Sequence, residues 1–574
     1  MFRRPFDHLE TPVPRMSCLA RLAGALSLAL SACGPSAAPP GAAAPTATSS
    51  AITAGDLETR LSILADDSMQ GRRAGTQGNV KGTDYIAAEA RRIGLQPAGE
   101  NGGWFQTVPL VERGIAKESA LQVDGTTYSP WSDFLPRDQG AGARSVNGTA
   151  VIFGGALGDS SQSLITQEQA AGKLVLVAAA PDGNGKAQGT VNRAVTTAQF
   201  KSAAGIAVAT LDAIGPAEQA ELRVGGAQLA AADSPPIPAF MYVTSRLATA
   251  MLGMPAAQAK PGDVGKVVRG EVKFADSPPP FPARNVVAIL PGSDPALKGQ
   301  MVAVGAHNDH NGIAPVAQEH DSIRAFNAVM RLEGANSTPG GPGAEQQRQV
   351  RATLDSLRKI RPARIDSILN GADDDGSGSV GVLEIAEALA KKPARPKRSI
   401  LFVWHTGEEL GLLGSDWFTR HPTVPRDSIV AQLNLDMIGR GAATDLKDGG
   451  PGYLQVIGSR RLSTELGDLV ERVNRDGAYG FTFNYQYDAD GHPDSYYCRS
   501  DHYMYARYGI PIAFFTTGAH RDYHQLTDEV QYIDFAKMAR VTGLVEASAL
   551  AVANLDHPVV VDKPKPDPNA ACKQ

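Results

Sequence analysis

The spacing of apolar residues divides the chain into a helical start, a β-rich middle and a long part in which strands and helices alternate. Leu57, Leu61 and Leu64 recur every three or four residues, which predicts an amphipathic helix. A second helix is predicted over residues 79–92. Between about residues 117 and 274, short apolar runs separated by turns predict β-strands.

From Arg284 onward, predicted strands alternate with predicted helices, which indicates an α/β fold with helices on both faces of a sheet. The β-rich middle has no cluster of His, Asp and Glu, so we interpret it as a separate domain inserted into a larger one. The strands begin near residues 285, 301, 399, 429 and 510, and the helices cover about 379–392, 462–475 and 534–553.

The N-terminal residues 1–33 predict an export signal. Arg21 precedes an apolar run, Leu22 to Leu30, that is too short to span a bilayer as a mature helix. The following Leu30-Ser31-Ala32-Cys33 resembles a bacterial lipobox, which implies cleavage before Cys33 and lipidation of its thiol. We therefore expect an exported protein of a bacterial cell envelope, anchored by lipid to a membrane surface on the periplasmic side or at the outer membrane. An ordinary cleaved secretory signal is the alternative.

Composition narrows the class of protein further. Residues 34–52 are mostly Gly, Pro, Ala, Ser and Thr, which predicts a flexible linker. The net charge is −5 and no basic stripe is present, so we expect no nucleic-acid partner. Beyond the leader only Cys498 and Cys572 remain, so this is not a disulfide scaffold, although the two could pair.

Six short polar motifs carry the candidate chemistry, and several follow predicted strands. In an open α/β sheet, ligands bind outside the carboxyl ends of the strands. Together the motifs supply the imidazoles and carboxylates of a two-metal hydrolase, with one carboxylate left over to take a proton from water. They are His307-Asn308-Asp309, Gly371 to Gly378, Glu408-Glu409, Asn434-Leu435-Asp436, Ser500-Asp501-His502 and Arg521 to His524.

In this order the motifs resemble the M28 zinc aminopeptidase family, and the likeness covers about residues 52–550. The resemblance implies a zinc aminopeptidase-like mixed β-sheet flanked by helices, with a PA-type (protease-associated) inserted domain and two Zn²⁺ ions. We accordingly expect the following division: signal 1–33, linker 34–52, peptidase domain 53–119 and 276–555, PA-like domain 120–275, and tail 556–574.

The resemblance also implies the metal ligands. His307, Asp374 and Asp436 would hold one zinc. Asp374 would bridge to the second zinc, which Glu409 and His524 would also bind.

Three further residues receive catalytic roles from the resemblance. Glu408 would be the general base for attack of a metal-bridging hydroxide, and later the acid to the leaving amine. Asp309 would orient His307. Tyr523 would stabilise the oxyanion, although a tyrosine at this position could equally be a core residue. For Ser500-Asp501-His502 we expect a structural or pocket-lining role.

Two features leave alternatives open. Residues 311–370 form a long insertion after the first motif, helical over about 346–359, which could be a lid, a binding loop or a passive addition. Residues 373–384, DDDGSGSVGVLE, also fit an EF-hand calcium loop. That alternative would point Asp374 away from the cation, whereas the zinc hypothesis makes Asp374 the bridge.

The sequence therefore predicts an exported di-zinc metallopeptidase that acts on peptides, with removal of N-terminal residues as the first hypothesis. A metallocarboxypeptidase on the same scaffold and a non-catalytic, receptor-like binding protein are the alternatives. The choice between the two peptidases depends on whether the pocket presents carboxylates to an amine or arginines to a carboxylate.

Overall fold

The computed structural model describes residues 48–137, 143–181, 189–223, 226–230, 236–337 and 340–574. The predicted signal with Cys33, and the linker up to residue 47, lie outside these residues. No helix in the described ranges has both the length and the apolar composition needed to cross a bilayer.

The bounds of the described helices are α1 Ala54–Leu64, α2 Gln77–Ile93, α3 Gln167–Ala170, α4 Arg193–Gln199, α5 Pro216–Arg223, α6 Ser245–Leu252, α7 His320–Met330, α8 Ala344–Arg358, α9 Gly378–Lys391, α10 Leu413–Arg420, α11 Thr464–Asp476, α12 His502–Ala506 and α13 Phe535–Ala553. The first two described helices, α1 and α2, correspond to the helices predicted from the Leu57 pattern and over residues 79–92.

The bounds of the described strands are β1 Gln96–Pro97, β2 Phe105–Val108, β3 Leu110–Ile115, β4 Ala120–Val123, β5 Thr126–Tyr128, β6 Phe134–Arg137, β7 Thr149–Leu157, β8 Leu174–Ala179, β9 Gly205–Val208, β10 Gly226–Leu229, β11 Ala239–Val243, β12 Val264–Glu271, β13 Phe274–Ser277, β14 Ala283–Leu290, β15 Met301–His307, β16 Gly312–Glu319, β17 Ile365–Leu369, β18 Ser399–His405, β19 Ile429–Leu435, β20 Tyr453–Ile457, β21 Thr482–Asn484 and β22 Ile512–Thr516. The buried strands follow the apolar runs, whereas short or exposed strands such as β1, β13 and β16 have no such run.

The largest sheet is mixed, as expected. Its strand order is β1-β14-β18-β15-β19-β22-β20-β21, and β2 also pairs with β14. The four central strands β18, β15, β19 and β22 are parallel, whereas β14 and β20 run antiparallel to their neighbours β18 and β22. The central strands are buried along almost their whole length, which is why they appear in the sequence as continuous apolar runs. The predicted mixed sheet flanked by helices is confirmed.

A second sheet lies within the β-rich middle of the chain. Its eight strands have the order β5-β4-β12-β7-β8-β9-β11-β6, and its two faces pack into their own apolar clusters. Helix α4 also lies in this region. The limits 120 and 275 and the PA type of this region stay predictions.

The insertion after the first motif is an ordered substructure. Strands β16 and β17 pair with each other at its two ends, and α7 and α8 lie between them. Helix α8 corresponds to the helix predicted at 346–359. The paired ends return the chain to the edge of the main sheet, so Asp374 comes close to His307 despite the long separation in sequence.

Near the C-terminus, Cys498 and Cys572 form a disulfide. The side-chain amide of Gln574 also donates to the carbonyls of Tyr487 and Ala489, and its oxygen accepts from the backbone N–H of Tyr497. These contacts fix the tail against the segment that leads into Ser500.

A buried ion-pair network ties α1 to α9, the helix that follows the Asp374 loop. Arg60 is 1% exposed; its Nε donates to Glu384 at 2.5 Å, and its second nitrogen pairs with Glu387. Arg92 reaches the same Glu387 from the surface at 2.8 Å and is 41% exposed. Removal of Arg60 would leave two buried carboxylates with less compensation, which is the costly way to break a buried pair.

We predict that Arg60→Met lowers the free energy of unfolding by about 3–5 kcal/mol, whereas Arg92→Met lowers it by about 1 kcal/mol or less. Chemical denaturation of the two variants side by side measures the difference. Equal losses would show that the buried end of the network contributes no more than the exposed end.

Candidate active site

The site residues meet because four neighbouring parallel strands end at the same edge of the sheet. His307 is the last residue of β15, Glu408 and Glu409 follow β18, and Asp436 directly follows β19. The loop after β22 carries His524, and the turn before α9 carries Asp374. All five predicted ligand residues and Glu408 therefore lie in one cluster.

The first group of possible metal ligands is buried around His307. Its Nε2 lies 3.2 Å from Asp374 Oδ1 and 3.7 Å from Asp436 Oδ1. Glu408 Oε2 lies 3.9 Å from the same nitrogen. Two atoms that ligate one zinc at about 2.0–2.1 Å can be at most about 4.2 Å apart, so His307, Asp374 and Asp436 could share an ion.

The second group forms on the other oxygen of Asp374. His524 Nε2 lies 3.0 Å from Asp374 Oδ2 and 2.9 Å from Glu409 Oε2. His310 joins this group, with Nδ1 at 2.6 Å from Glu409 Oε1 and 3.8 Å from Asp374 Oδ2. Asp374 thus turns one oxygen toward each group, as a carboxylate that bridges two cations would do.

Asp309 connects the first group to Glu408. His307 Nδ1 lies 3.1 Å from the backbone oxygen of Asp309 and 3.7 Å from its carboxylate. The carboxylate oxygen Oδ1 instead accepts the backbone N–H of Glu408 at 3.1 Å. The carbonyl is therefore the nearer partner of the imidazole, and the carboxylate holds the backbone of Glu408.

Backbone amides hold the turn that carries Asp374. The backbone N–H groups of Asp373 and Asp374 donate to Asp528 at 3.0 and 3.1 Å. Asp375 accepts the N–H of His307 at 3.0 Å and that of Met437 at 3.2 Å. These bonds fix the turn to β15 and to the segment after β19.

The EF-hand alternative is wrong, because its oxygens do not converge. Asp373 Oδ1 accepts the N–H of Gly439 at 2.6 Å, and Asp375 faces His307 and Met437. Glu384, the last position of the would-be loop, is paired with Arg60 on α1.

The loop of His524 is held by the insertion. Asp522 Oδ2 pairs with Arg324 of α7 and, at 2.9 Å, with Arg440. Thr527 donates to the other oxygen of Asp522 at 2.7 Å. Helix α7 thus supports the loop that presents Tyr523 and His524.

Tyr523 stacks on the ring of His524, with the ring centroids 3.8 Å apart, and it lines a pocket beside the two groups. Burial raises the pKa of Tyr523 well above its usual value, so its hydroxyl stays protonated and can donate a hydrogen bond. The other lining residues are Asp374, Glu408, Asp436, Met437, Tyr496, Arg499, Ser500, Phe514, Thr516 and Ala519.

The electrostatics of the cluster favour bound cations. Burial raises the pKa of Glu408 well above its usual value; His307 opposes this shift, and the charges of Asp436 and Glu409 add to it. Burial and Asp374 raise the pKa of Glu409, but His310 and His524 outweigh them and bring it to about 2. A positive charge between the two groups would relieve the repulsion among these carboxylates.

Three residues at the site escaped prediction: His310, Asp375 and Asp528. His310 stands in the same His-Asn-Asp-His run as His307, and that spacing was the available signal. Asp528 lies four residues after His524 and accepts the backbone N–H groups of Asp373 and Asp374. Ser500, which donates to Asp436 at 2.7 Å, has the structural and pocket-lining position expected of its motif.

Residues 285–549 match the family model described as Peptidase family M28. This part of the chain belongs to peptidase family M28. The predicted family is thereby confirmed for the segment that holds all the predicted ligands.

The chain is also similar to curated proteins. The leupeptin-inactivating enzyme 1 of Streptomyces exfoliatus is 26% identical over 296 residues, which are 48% of this chain and 57% of that protein. Leucine aminopeptidase 1 of Aspergillus niger is 29% identical over 245 residues, or 40% of this chain and 56% of that protein. The chain spans little more than half the length of these relatives.

Among solved structures, an aminopeptidase from Aneurinibacillus sp. strain AM-1 is 16% identical with a TM-score of 0.48, and the match covers 89% of this chain and 97% of that one. A zinc aminopeptidase from Bacillus subtilis is also 16% identical with a TM-score of 0.48, and the match covers 87% and 95% of the two chains.

We predict that Arg324→Met speeds amide hydrogen exchange of residues 521–527 in the M28 segment by about tenfold, because a hydrogen bond to a charged group contributes about 1.5 kcal/mol. Arg348→Met on α8 is the control, since Arg348 is 69% exposed and pairs with Glu345 of the same helix. Unchanged exchange in Arg324→Met would show that α7 does not hold the loop.

Proposed function

We propose that this protein is a di-zinc aminopeptidase that removes N-terminal residues from peptides. The observation that carries the proposal is the position of Asp374, whose two oxygens face two separate groups of imidazole and carboxylate ligands. Glu408 lies beside the first group and lines the pocket. The names of the aminopeptidase relatives agree with this activity.

The residues fit a pair of zinc ions. Histidine nitrogen and carboxylate oxygen are donors that zinc accepts. Among the described residues, the buried atoms His307 Nε2, Asp374 Oδ2 and Glu409 Oε1 have no hydrogen-bond partner, as expected of atoms that face an ion. His307, Asp374 and Asp436 would hold one ion, and Asp374, Glu409 and His524 the other.

When bound, zinc polarises the scissile carbonyl and makes a water molecule more acidic. The chain's own residues do the rest. Glu408 takes a proton from the attacking water and delivers it to the leaving nitrogen. Asp309 keeps Glu408 in place by accepting the backbone N–H of Glu408. The protonated Tyr523 hydroxyl donates a hydrogen bond to the oxygen that becomes negative during attack.

The charged residues of the pocket bear on which end of a peptide the site binds. Asp374, Glu408 and Asp436 line it, but Asp374 and Asp436 would be metal ligands and Glu408 would be the base, so none of the three is free to pair with a substrate amine. Arg499 also lines the pocket, with a guanidinium nitrogen 3.4 Å from the Tyr523 hydroxyl, and it could meet a carboxylate of the substrate. The choice of the aminopeptidase over the carboxypeptidase therefore rests on the names of the aminopeptidase relatives, and the substrate assay below tests it.

We further propose that the protein is exported and anchored by a lipid on Cys33, with the β-rich middle as a PA-like inserted domain. The lipobox-like LSAC run supports the anchor. In cell fractionation, the Cys33→Ser variant should no longer be found in the membrane fraction. It should also incorporate no labelled fatty acid. Membrane association that persists in this variant would refute the anchor.

We predict that Glu408→Gln lowers kcat/KM by about 100- to 10,000-fold, because the amide cannot accept the proton. The variant keeps the metal ligands, so its zinc content should equal that of the wild type. The assay compares aminoacyl-anilides and N-blocked peptides with wild type, chelated wild type and the variant.

Cleavage of free-amine substrates that chelation abolishes would support the proposal. Cleavage restricted to N-blocked peptides, from their C-terminal end, would make the protein a carboxypeptidase. Zinc binding without cleavage of any substrate would favour the receptor-like alternative.

A further inference from the structure

We propose that His310 is a fourth protein ligand of the second metal site, in addition to Asp374, Glu409 and His524. The inference rests on the di-zinc function proposed above and deepens it. The five ligands that the M28 resemblance implies do not include His310.

The first argument is distance. His310 Nδ1 lies 2.6 Å from Glu409 Oε1 and 3.8 Å from Asp374 Oδ2. His524 Nε2 lies within 3.0 Å of both carboxylates. Every one of these separations is below the about 4.2 Å that two ligands of one zinc can span.

The second argument is that the imidazole of His310 is buried and has no other binding partner among the described residues. His310 is 0% exposed, and neither of its ring nitrogens has a hydrogen-bond partner among the described residues. A buried imidazole without partners is costly unless it binds something. Among the described residues, the acidic groups within 4 Å of its Nδ1 are the two carboxylates of the site, Glu409 and Asp374.

The third argument is that the fold makes room for this ring beside Asp374. Gly371 begins the turn with φ of +54°, and a Cβ there would lie 2.4 Å from Cγ of His310. Any larger residue at position 371 would collide with the imidazole. The glycine therefore serves both the left-handed turn and the approach of His310 to the ligand carboxylates.

A consequence is that the two metal sites differ. The first would have three protein ligands, His307, Asp374 and Asp436, and could keep a position open for substrate. The second would have four, which is the number typical of closed zinc sites that hold an ion firmly. We therefore expect the second site to fill first and to bind more tightly.

A competing role is that His310 only orients Glu409 through a hydrogen bond. The variant His310→Asn separates the two roles. The asparagine amide can place an N–H near the position of Nδ1 and keep a hydrogen bond to Glu409, but it removes the imidazole. His502→Asn is the control, since His502 is also fully buried but stacks on Phe514.

The experiment loads the full chain with Co²⁺ and counts the paramagnetically shifted, exchangeable imidazole N–H signals in proton NMR. We expect three signals in the wild type and in His502→Asn, from His307, His310 and His524, and two in His310→Asn. Titration of Co²⁺ should also show a dissociation constant for the tighter ion at least about 10- to 100-fold higher in His310→Asn.

Two signals in the wild type with two Co²⁺ bound, unchanged in His310→Asn, would overturn the assignment of His310 and leave the di-metal proposal standing. Failure of the wild type to bind Co²⁺ at all would overturn both. Circular dichroism of the three proteins confirms that the variants fold.

Discussion

Burying several carboxylates next to imidazoles at one end of a sheet is the constraint on which this structure depends. Asp374, Glu408 and Asp436 lie around His307, and Glu409 lies beside His310 and His524. Their mutual repulsion in a dry environment would push the cluster apart unless other groups held it. Backbone N–H groups supply that support, because Asp375, Asp528 and Asp309 each accept one or more of them and tie the turn, the strands and Glu408 together.

The same constraint explains the parts that surround the cluster. Helix α9 starts directly after the Asp374 turn and is fastened to α1 by Arg60. Asp522 is held between Arg324 of the insertion and Arg440, and this fixes the loop of His524. The insertion is thus part of the support of the site, a role that favours neither a mobile lid nor a passive addition.

The sequence predicted the central strands and the pairing of motifs because buried strands and strand-end polar residues leave local patterns. β15, β18, β19 and β22 all appear as continuous apolar runs followed by polar residues. Contacts over long separations leave no such pattern. Asp528 binds the Asp374 turn although more than 150 residues separate them in the sequence. No local sequence pattern around Asp528 predicts this contact. His310 is only three residues from His307 in the sequence. The two carboxylates that lie near it, however, come from distant segments of the chain.

Zinc content of Asp374→Asn tests the central claim, that one carboxylate joins the two groups, most directly. After dialysis against buffered zinc, elemental analysis should find two ions per chain in the wild type, about one in Asp436→Asn, and fewer than one in Asp374→Asn, because the amide cannot screen two cations. Two ions retained by a folded Asp374→Asn variant would contradict the account.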